Sequence, residues 1–407
     1  MTAKKHLSGS GWLLAALMLH AAPALAADVP AELPAETPYV ETMPDGPRDH
    51  WVALGDINPL SSLDTRVVIY DADKGTMLGQ MNTGYWSALA FFPADKSQFV
   101  TLETYFAQGT RGTRTDYVVT YDPKTLLPTH EIEIPNKRMS ALTQTRVADV
   151  SDDGRFIAIS NFTPAQSVSF VDLKEHRFLS EVDTPGCGQV YPAGPRRFAI
   201  LCGDATLRML TLDDAGNVTT QTDGEVFFDP FKDPVLVHAA RHGANDWLFI
   251  SMDGYIHDVD VSGGAAKLKD DEREDGWRTG GVQPLAIHQA TNRLYALMRQ
   301  GGRETYEEPG EEIWVIDLAT RKTVERIKLE NLTMAINVSQ DNQPLLNTAS
   351  LKTVLPYWSL VLVSILGVEF QDLDVVKPAL DVYDAKDGTH LRTVSHAANF
   401  AASVMQP

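Results

Sequence analysis

The sequence predicts an all-β fold, a seven-bladed β-propeller of four-stranded antiparallel blades whose ring is closed by the C-terminal strand. Three observations predict it: a strand-and-turn phrase recurs, its spacing suits a propeller blade, and one further apolar run follows the last copy. Each copy is an apolar strand ending at Asp, then a polar turn and a second strand; the seven lie at 66–71, 116–122, 167–172, 207–213, 255–260, 312–317 and 379–384. The fourth and fifth are the weakest matches. The steps between the closing Asp residues run from 41, between Asp172 and Asp213, to 67, between Asp317 and Asp384. Repeats of roughly 40 to 50 residues made of short strands indicate propeller blades, which spread four-stranded sheets around a channel and leave only short, protected edges.

The elements follow in order. Lys4 and Lys5, an apolar stretch over 12–19 and the small residues Ala24-Leu-Ala26 form the pattern of a secretory signal, so 1–26 reads as a signal peptide and the mature chain as periplasmic. The apolar stretch is too short to span a membrane comfortably, and no span is expected after cleavage. Residues 27–50, rich in Pro and Glu over 31–48, read as an extended N-terminal arm, and 51–407 as the propeller. Only the strand at 50–55 precedes the first marker, so the first unit is one strand short. Later units carry an apolar hairpin ahead of the marker, at 89–103, 147–160, 188–202, 235–252 and 282–298. Asp153-Gly154 makes the turn in the clearest of these, because both residues tolerate positive φ. After the last marker come a fourth-strand candidate at 390–394 and the apolar run 399–405, which is expected to join the first unit and tie the two ends together.

Formal charge is −19. No Lys/Arg-rich run offsets it, which argues against nucleic acid as a partner; the acidity serves solubility or a partner with a basic patch. The two cysteines, Cys187 and Cys202, flank a hairpin with its turn at 191–195, so they can face one another across antiparallel strands. In an oxidising compartment such a pair forms a structural disulfide, and no Cys-X-X-Cys spacing suggests redox activity.

Searches for chemistry mostly fail. The chain has no His-Glu-X-X-His, Gly-X-Ser-X-Gly, phosphate loop or haem-attachment motif. His238 and His242 have a spacing that suits metal ligation on a helix, but they fall on a strand and turn and read as packed or surface histidines, as do His257 and His288. The acidic run 270–275 reads as a solvated loop. No catalytic constellation and no metal set is specified. Two loops stand out as interface candidates. Asp275-Gly-Trp-Arg-Thr-Gly-Gly281 sets Trp277 and Arg278 among glycines, either as an interface anchor or as a tight turn with Trp277 packed between sheets. The loop 104–115, with Arg111 and Arg114 beside aromatics, is either a binding lip or a flexible hairpin.

The stretch 111–128, the loop 275–281 and Ile336-Asn-Val-Ser-Gln-Asp-Asn-Gln-Pro-Leu-Leu346 resemble the heavy chain of methylamine dehydrogenase, a family that also includes the heavy chain of aromatic amine dehydrogenase. The similarity runs from about 67 to 346 and resumes at 380–393. This resemblance implies a seven-bladed propeller with a cysteine pair placed like Cys187 and Cys202. It implies a periplasmic heterotetramer of two heavy and two light chains that oxidises primary amines to aldehyde and ammonia. It places the catalytic tryptophan tryptophylquinone on the light chain, with no cofactor on this chain, and passes electrons to a blue copper protein of amicyanin or azurin type. The heavy chain would then cover the quinone pocket and shape its entrance.

Two departures from the family stand out. The loop before the first marker would carry an aromatic residue at that pocket; here it reads Asp56-Ile-Asn-Pro-Leu-Ser-Ser62, leaving Pro59 or Leu60 as the wall. The chain also inserts 347–378, with a nearly uncharged centre at 354–368. Competing classes are a non-enzymatic propeller that binds a protein and a self-sufficient propeller hydrolase such as a metal-dependent lactonase. The latter calls for inward metal ligands at matching positions of several blades, and no such series is visible.

Overall fold

The computed structural model describes residues 42–43, 46–58, 61, 63–140, 144–273, 277–353 and 376–407. The expected signal peptide, most of the expected arm, Pro59, Leu60 and residues 354–375 of the inserted segment, its centre at 354–368 included, lie outside the described residues. Among the described residues the chain is all-β, and its helical pieces are two single 3-10 turns, Thr145–Val147 and Arg303–Thr305.

The strands sort into antiparallel groups of four. In the first, β1 (Trp51–Ile57), β2 (Thr65–Asp71) and β3 (Thr76–Gly84) pair in sequence, and the chain's last strand, β28 (Ala401–Met405), adds to the free edge of β1. The run at 399–405 thus supplies the strand that the first unit lacks. The second group is β4 (Ala90–Phe91), β5 (Phe99–Phe106), β6 (Arg114–Tyr121) and β7 (Pro128–Ile134), and one parallel bridge, Gly84 to Thr104, links it to the first. The third is β8 (Ala148–Val150), β9 (Phe156–Asn161), β10 (Ser167–Asp172) and β11 (Arg177–Asp183). The fourth is β12 (Cys187–Pro192), β13 (Arg197–Cys202), β14 (Leu207–Leu212) and β15 (Val218–Asp223). The fifth is β16 (Ala240–His242), β17 (Asp246–Ile250), β18 (Tyr255–Asp260) and β19 (Lys267–Arg273).

The last two groups share a strand. β20 (Arg278–Thr279) and β21 (Leu285–His288) both pair with β22 (Arg293–Arg299), which pairs with β23 (Gly310–Asp317). The 17-residue β24 (Lys322–Val338) then pairs β23 along its first part and β25 (Leu345–Thr353) along its second. β26 (Val376–Asp384) and β27 (His390–Ser395) complete the seventh group. β25 and β26 pair without interruption from Leu345–Asp384 to Thr353–Val376, so both ends of the segment expected as an insertion, 347–353 and 376–378, are regular strand of this hairpin.

The marker Asp explains the recurring phrase. Each stands at the end of the third strand of its group or, for Asp122 and Asp213, one residue past it, and its Oδ1 accepts a backbone N–H from the following turn: Lys74 to Asp71, Thr125 to Asp122, Glu175 to Asp172, Asn217 to Asp213, Ser262 to Asp260, Thr320 to Asp317 and Lys386 to Asp384. A short carboxylate side chain reaches the turn amides that no strand satisfies, which is why Asp recurs here. In the clearest upstream hairpin, Gly154 has φ of +72°, as its turn requires.

Burial falls from the inner strands outward. β1 and β10 are buried at every position, whereas β15 is almost wholly exposed. Inner strands read as continuous apolar runs because neighbouring groups cover both of their faces. Phe156 and Phe170 of the third group pack with Phe198 and Leu210 of the fourth, Tyr191 and Met209 of the fourth with Trp247 and Phe249 of the fifth, and Leu345 and Leu380 of the seventh with Leu54 and Tyr70 of the first. Hydrophobic burial between groups is thus the main source of cohesion.

Candidate functional site

Strand direction decides which loops share a surface. A central cavity of about 350 Å³ is lined by the innermost strands: 89–92, 239–241, 285–287, Val338, Val404 and Met405, with Thr145, Arg146 and Asp149. On one side a second cavity of about 250 Å³ is bounded by residues leading into those strands, such as Gln144, Val237 and Pro284, with Ala402 near the start of β28. On the other side a third is bounded by residues that leave them, such as Pro93, Ser151 and Gly243. The innermost strands therefore run the same way, and the segments entering them open on one face. Because pairing within each group is antiparallel, the connections from second to third strands open there too.

This entry face gathers the features singled out in the sequence. The end of β1 and the start of β2, Ile57 and Thr65, belong to it, as do Arg111 and the segment that carries Trp277 and Arg278; the described strand ends Thr353 and Val376 stand there as well. Exposed large apolar side chains also concentrate here: Leu63, Tyr105, Phe162, Val226, Val282 and Phe231, the last 94% exposed. The other large apolar side chains exposed among the described residues, Met77, Leu127, Val324 and Leu391, stand on outer strands or the turns before them. These side chains stand on separate connections of one face, which makes that face the candidate interaction surface.

The candidate interface residues differ in what they touch. Arg111 is exposed, and its Nε donates to Gln108 Oε1 at 3.1 Å. Arg114 opens β6 and forks onto the buried Asp116 at 2.9 and 2.8 Å, with a further bond to the Arg138 carbonyl. Trp277 packs against Trp314, ring centroids 5.3 Å apart, at the core between the fifth and sixth groups. Arg278 stands 3.7 Å from Asp253. The two loops belong to different sheets, the first carrying β6 and the second β20. Gly281, with φ of +78°, comes so close to the Met334 carbonyl that a Cβ would sit 2.3 Å from it, so one role of the glycines is close packing of this chain on itself. Cys187 and Cys202 are direct partners across β12 and β13 and form a disulfide.

The histidines also resolve into distinct settings. His288 is buried, with Nδ1 2.7 Å from Thr291 Oγ1 and Nε2 3.0 Å from the Asp341 carbonyl. His257 is buried in β18 beside Phe227. His242, Asp246 and Asp258 bring donor atoms within 4.8 Å of one another, the spacing of a cation site. Both carboxylates already have counter-charges, Lys269 at 2.9 Å from Asp246 and Arg321 at 3.2 Å from Asp258. Asp258 also holds the His242 pKa above its ordinary value. With two anions facing Lys269, Arg321 and a readily protonated imidazole, the cluster is balanced by its own cations.

His238 is the residue whose position the sequence did not reveal. It lines both the central and the second cavity, and its ring is buried. Its Nδ1 has no hydrogen-bond partner. Burial, with a lesser push from the Arg146 charge, holds its pKa down at about 3, so the imidazole is neutral at physiological pH. Arg146 is ion-paired with Asp149 and lies 4.6 Å over the Trp247 ring. Burial also raises the Asp149 pKa.

Comparison with known proteins gives a consistent assignment. The profile described as methylamine dehydrogenase heavy chain (MADH) matches residues 56–361. The methylamine dehydrogenase heavy chain of Methylophilus methylotrophus is 30% identical over 358 residues, covering 84% of this chain and 86% of that one. That of Methylobacillus flagellatus is 28% identical over 369 residues, covering 82% and 88%. Among solved structures, a dihydro-heme d1 dehydrogenase in complex with DHE superposes with a TM-score of 0.52 at 16% identity, covering 89% of this chain and 77% of that one. A β-propeller domain from Myceliophteria thermophila superposes with a TM-score of 0.52 at 9% identity, covering 77% and 94%. At such identities these two speak for the propeller-like fold alone.

Proposed function

Because the chain belongs to the methylamine dehydrogenase heavy chain family, we propose that it is the structural and specificity subunit of a periplasmic amine dehydrogenase that oxidises primary amines to aldehyde and ammonia. In this reading the four-stranded groups are seven blades of one ring, closed where β28 joins β1. Family membership supports a light-chain partner. The observation that carries the reading for this chain is the gathering of exposed apolar side chains, Phe231 foremost, on the entry face. That face is where the light chain would seat, two heavy with two light chains.

The quinone, tryptophan tryptophylquinone, would be built from light-chain residues and would supply the redox chemistry. This chain's own part is to cover the pocket, exclude water and bound the amine entrance, with Pro59 or Leu60 as wall. Electrons would leave to a blue copper protein of amicyanin or azurin type. The leader at 1–26 supports export, as does a cysteine pair suited to an oxidising compartment.

The test is purification from the native host's periplasm with a visible spectrum recorded during addition of methylamine, then of a phenylethylamine. Co-purification of a small subunit whose quinone band bleaches with one amine supports the assignment and sets the substrate class. A colourless chain recovered alone, although the partner gene is expressed, overturns it.

A further inference from the structure

His50, the residue before β1, bridges the first and seventh groups. Its carbonyl accepts the Ala72 N–H at 2.9 Å, which ties it to the first group. Its ring lies between two turns on the face opposite the entry face. Nδ1 is 2.8 Å from Oδ1 of Asp73, in the turn after β2. Nε2 is 3.1 Å from the Gln343 carbonyl and 3.3 Å from Oδ2 of Asp341, both in the turn after β24 of the seventh group.

Each of these oxygens is an acceptor. A neutral imidazole has one N–H, so it donates on one side and turns a lone pair toward oxygen on the other. An imidazolium donates on both sides and carries the charge that two carboxylates call for. Asp73 is 60% exposed, so solvent screens its charge and its hydrogen bond matters more. Asp341 is mostly buried and held facing the ring, accepting from Ser339 Oγ at 2.7 Å and from the Gln343 N–H at 2.9 Å. Other charged groups of the surrounding elements are engaged elsewhere. Lys74 lies 3.0 Å from Asp71, Lys96 lies 3.8 Å from Asp49, and Arg392 of β27 donates to the Ala72 carbonyl. His288 meets Asp341 at its backbone carbonyl, 3.0 Å away, and not at its carboxylate. Burial alone would lower the His50 pKa, but the Asp73 hydrogen bond, the charges of Asp73 and Asp341 and the Gln343 carbonyl hold it above 6.5.

We propose that His50 is a proton-operated clasp between the first and seventh groups, closed while both ring nitrogens carry hydrogen and released when one proton is lost. A raised folded pKa gives stability that is fully present below 6.5 and is lost as pH rises through the folded value. The clasp therefore loosens on the alkaline side. It rests on this chain's residues alone and not on the subunit reading.

The experiment is nuclear magnetic resonance of the full-length chain carrying ¹⁵N-histidine, titrated from about pH 5.5 to 9, with His50→Gln identifying the His50 signals. Both His50 nitrogens should show the imidazolium signature at pH 6, with a midpoint above 6.5. Asp73→Asn, a change in an exposed turn that leaves the fold intact, should weaken proton binding at His50 by about threefold. A histidine that only fills space would not respond. Hydrogen exchange on the same chains reads the clasp itself. Between pH 6 and 9 the amides of 72–75 and 339–345 should lose protection by about threefold or more beyond the intrinsic rise in rate, with β10 unchanged. His50→Gln should show the lower protection at both pH values. One neutral tautomer at pH 6, a midpoint at or below 6.5, seam protection that stays constant through the titration, or the same pH-dependent loss in His50→Gln overturns the proposal.

Discussion

Asp56 on β1 binds Asn399, 343 positions later: its Oδ1 accepts the Asn399 backbone N–H at 2.6 Å, and its Oδ2 accepts the side-chain Nδ2 at 3.1 Å. The same fully buried carboxylate takes the Phe400 N–H at 3.0 Å and the Arg66 guanidinium at 2.8 Å. One side chain thus fixes the approach of β28 to β1 and ties the two ends of the chain.

Removing it should loosen that junction first. Asp56→Ala leaves two backbone donors and a half-buried Arg66 without their acceptor, at a cost of roughly 2 to 4 kcal/mol. The check is urea unfolding together with hydrogen exchange. The amides of β28 should lose protection ahead of those of β10, and exchange that stays uniform would show that the lock is elsewhere.

The Asx turns predict a pH dependence. The backbone N–H of Thr125 holds the Asp122 carboxyl below its ordinary 3.8. A lowered folded pKa means stability that is present above the unfolded value and lost as pH falls through the folded one. Asp122→Asn keeps an acceptor for the turn but carries no charge. Its deficit against the parent should therefore be larger at pH 6 than near pH 2, compared by thermal melts at the two pH values.

His238 works in the same direction through a different group. Its folded pKa of about 3 lies below the ordinary 6.5, so the unfolded chain takes up a proton that the folded chain refuses. Stability should fall as pH drops from about 6.5 toward 3, by an amount on the order of a few kcal/mol. His238→Gln should flatten this part of the stability profile in urea titrations. An unchanged slope would mean that the ring is protonated in place.

The disulfide closes a loop with a sequence separation of 15. By loop entropy its removal costs about 3 kcal/mol. Replacing Cys187 and Cys202 together by Ala should lower the urea midpoint, and reductant should produce the same shift in the parent and none in the variant.

These relationships differ in how far the sequence discloses them. The marker Asp residues were legible because a turn that needs an acceptor recurs with its strand, and the completing run at 399–405 was legible because an apolar segment remained after the last copy. The fusion of two groups through β24 was not, since nothing in residues 322–338 marks the change of partner. His238 was visible only as a spacing, because its setting depends on strands far apart in the chain. The entry face was equally hidden: Leu63, Phe162 and Phe231 each look like an ordinary loop residue until strand direction brings them to one side. Arg114 read as an interface candidate because the sequence does not show that Asp116, two residues on, is buried and needs it.

Phe231 offers the sharpest test of that face. It is 94% exposed, so it contributes almost nothing to the stability of the isolated chain, and its ring is free to serve as an anchor. Interface anchors of this type typically cost more than about 1.4 kcal/mol, a tenfold change in affinity, when they are replaced. Phe231→Glu should therefore leave the melting temperature unchanged and reduce light-chain co-purification about tenfold or more. Leu391→Glu is the matched control, since Leu391 is also exposed but stands on the outer strand β27. Equal loss with both variants would point to charge rather than to the face. Loss with Leu391→Glu alone would move the partner to the outer strands and leave the exposed apolar side chains of the entry face without a role in assembly.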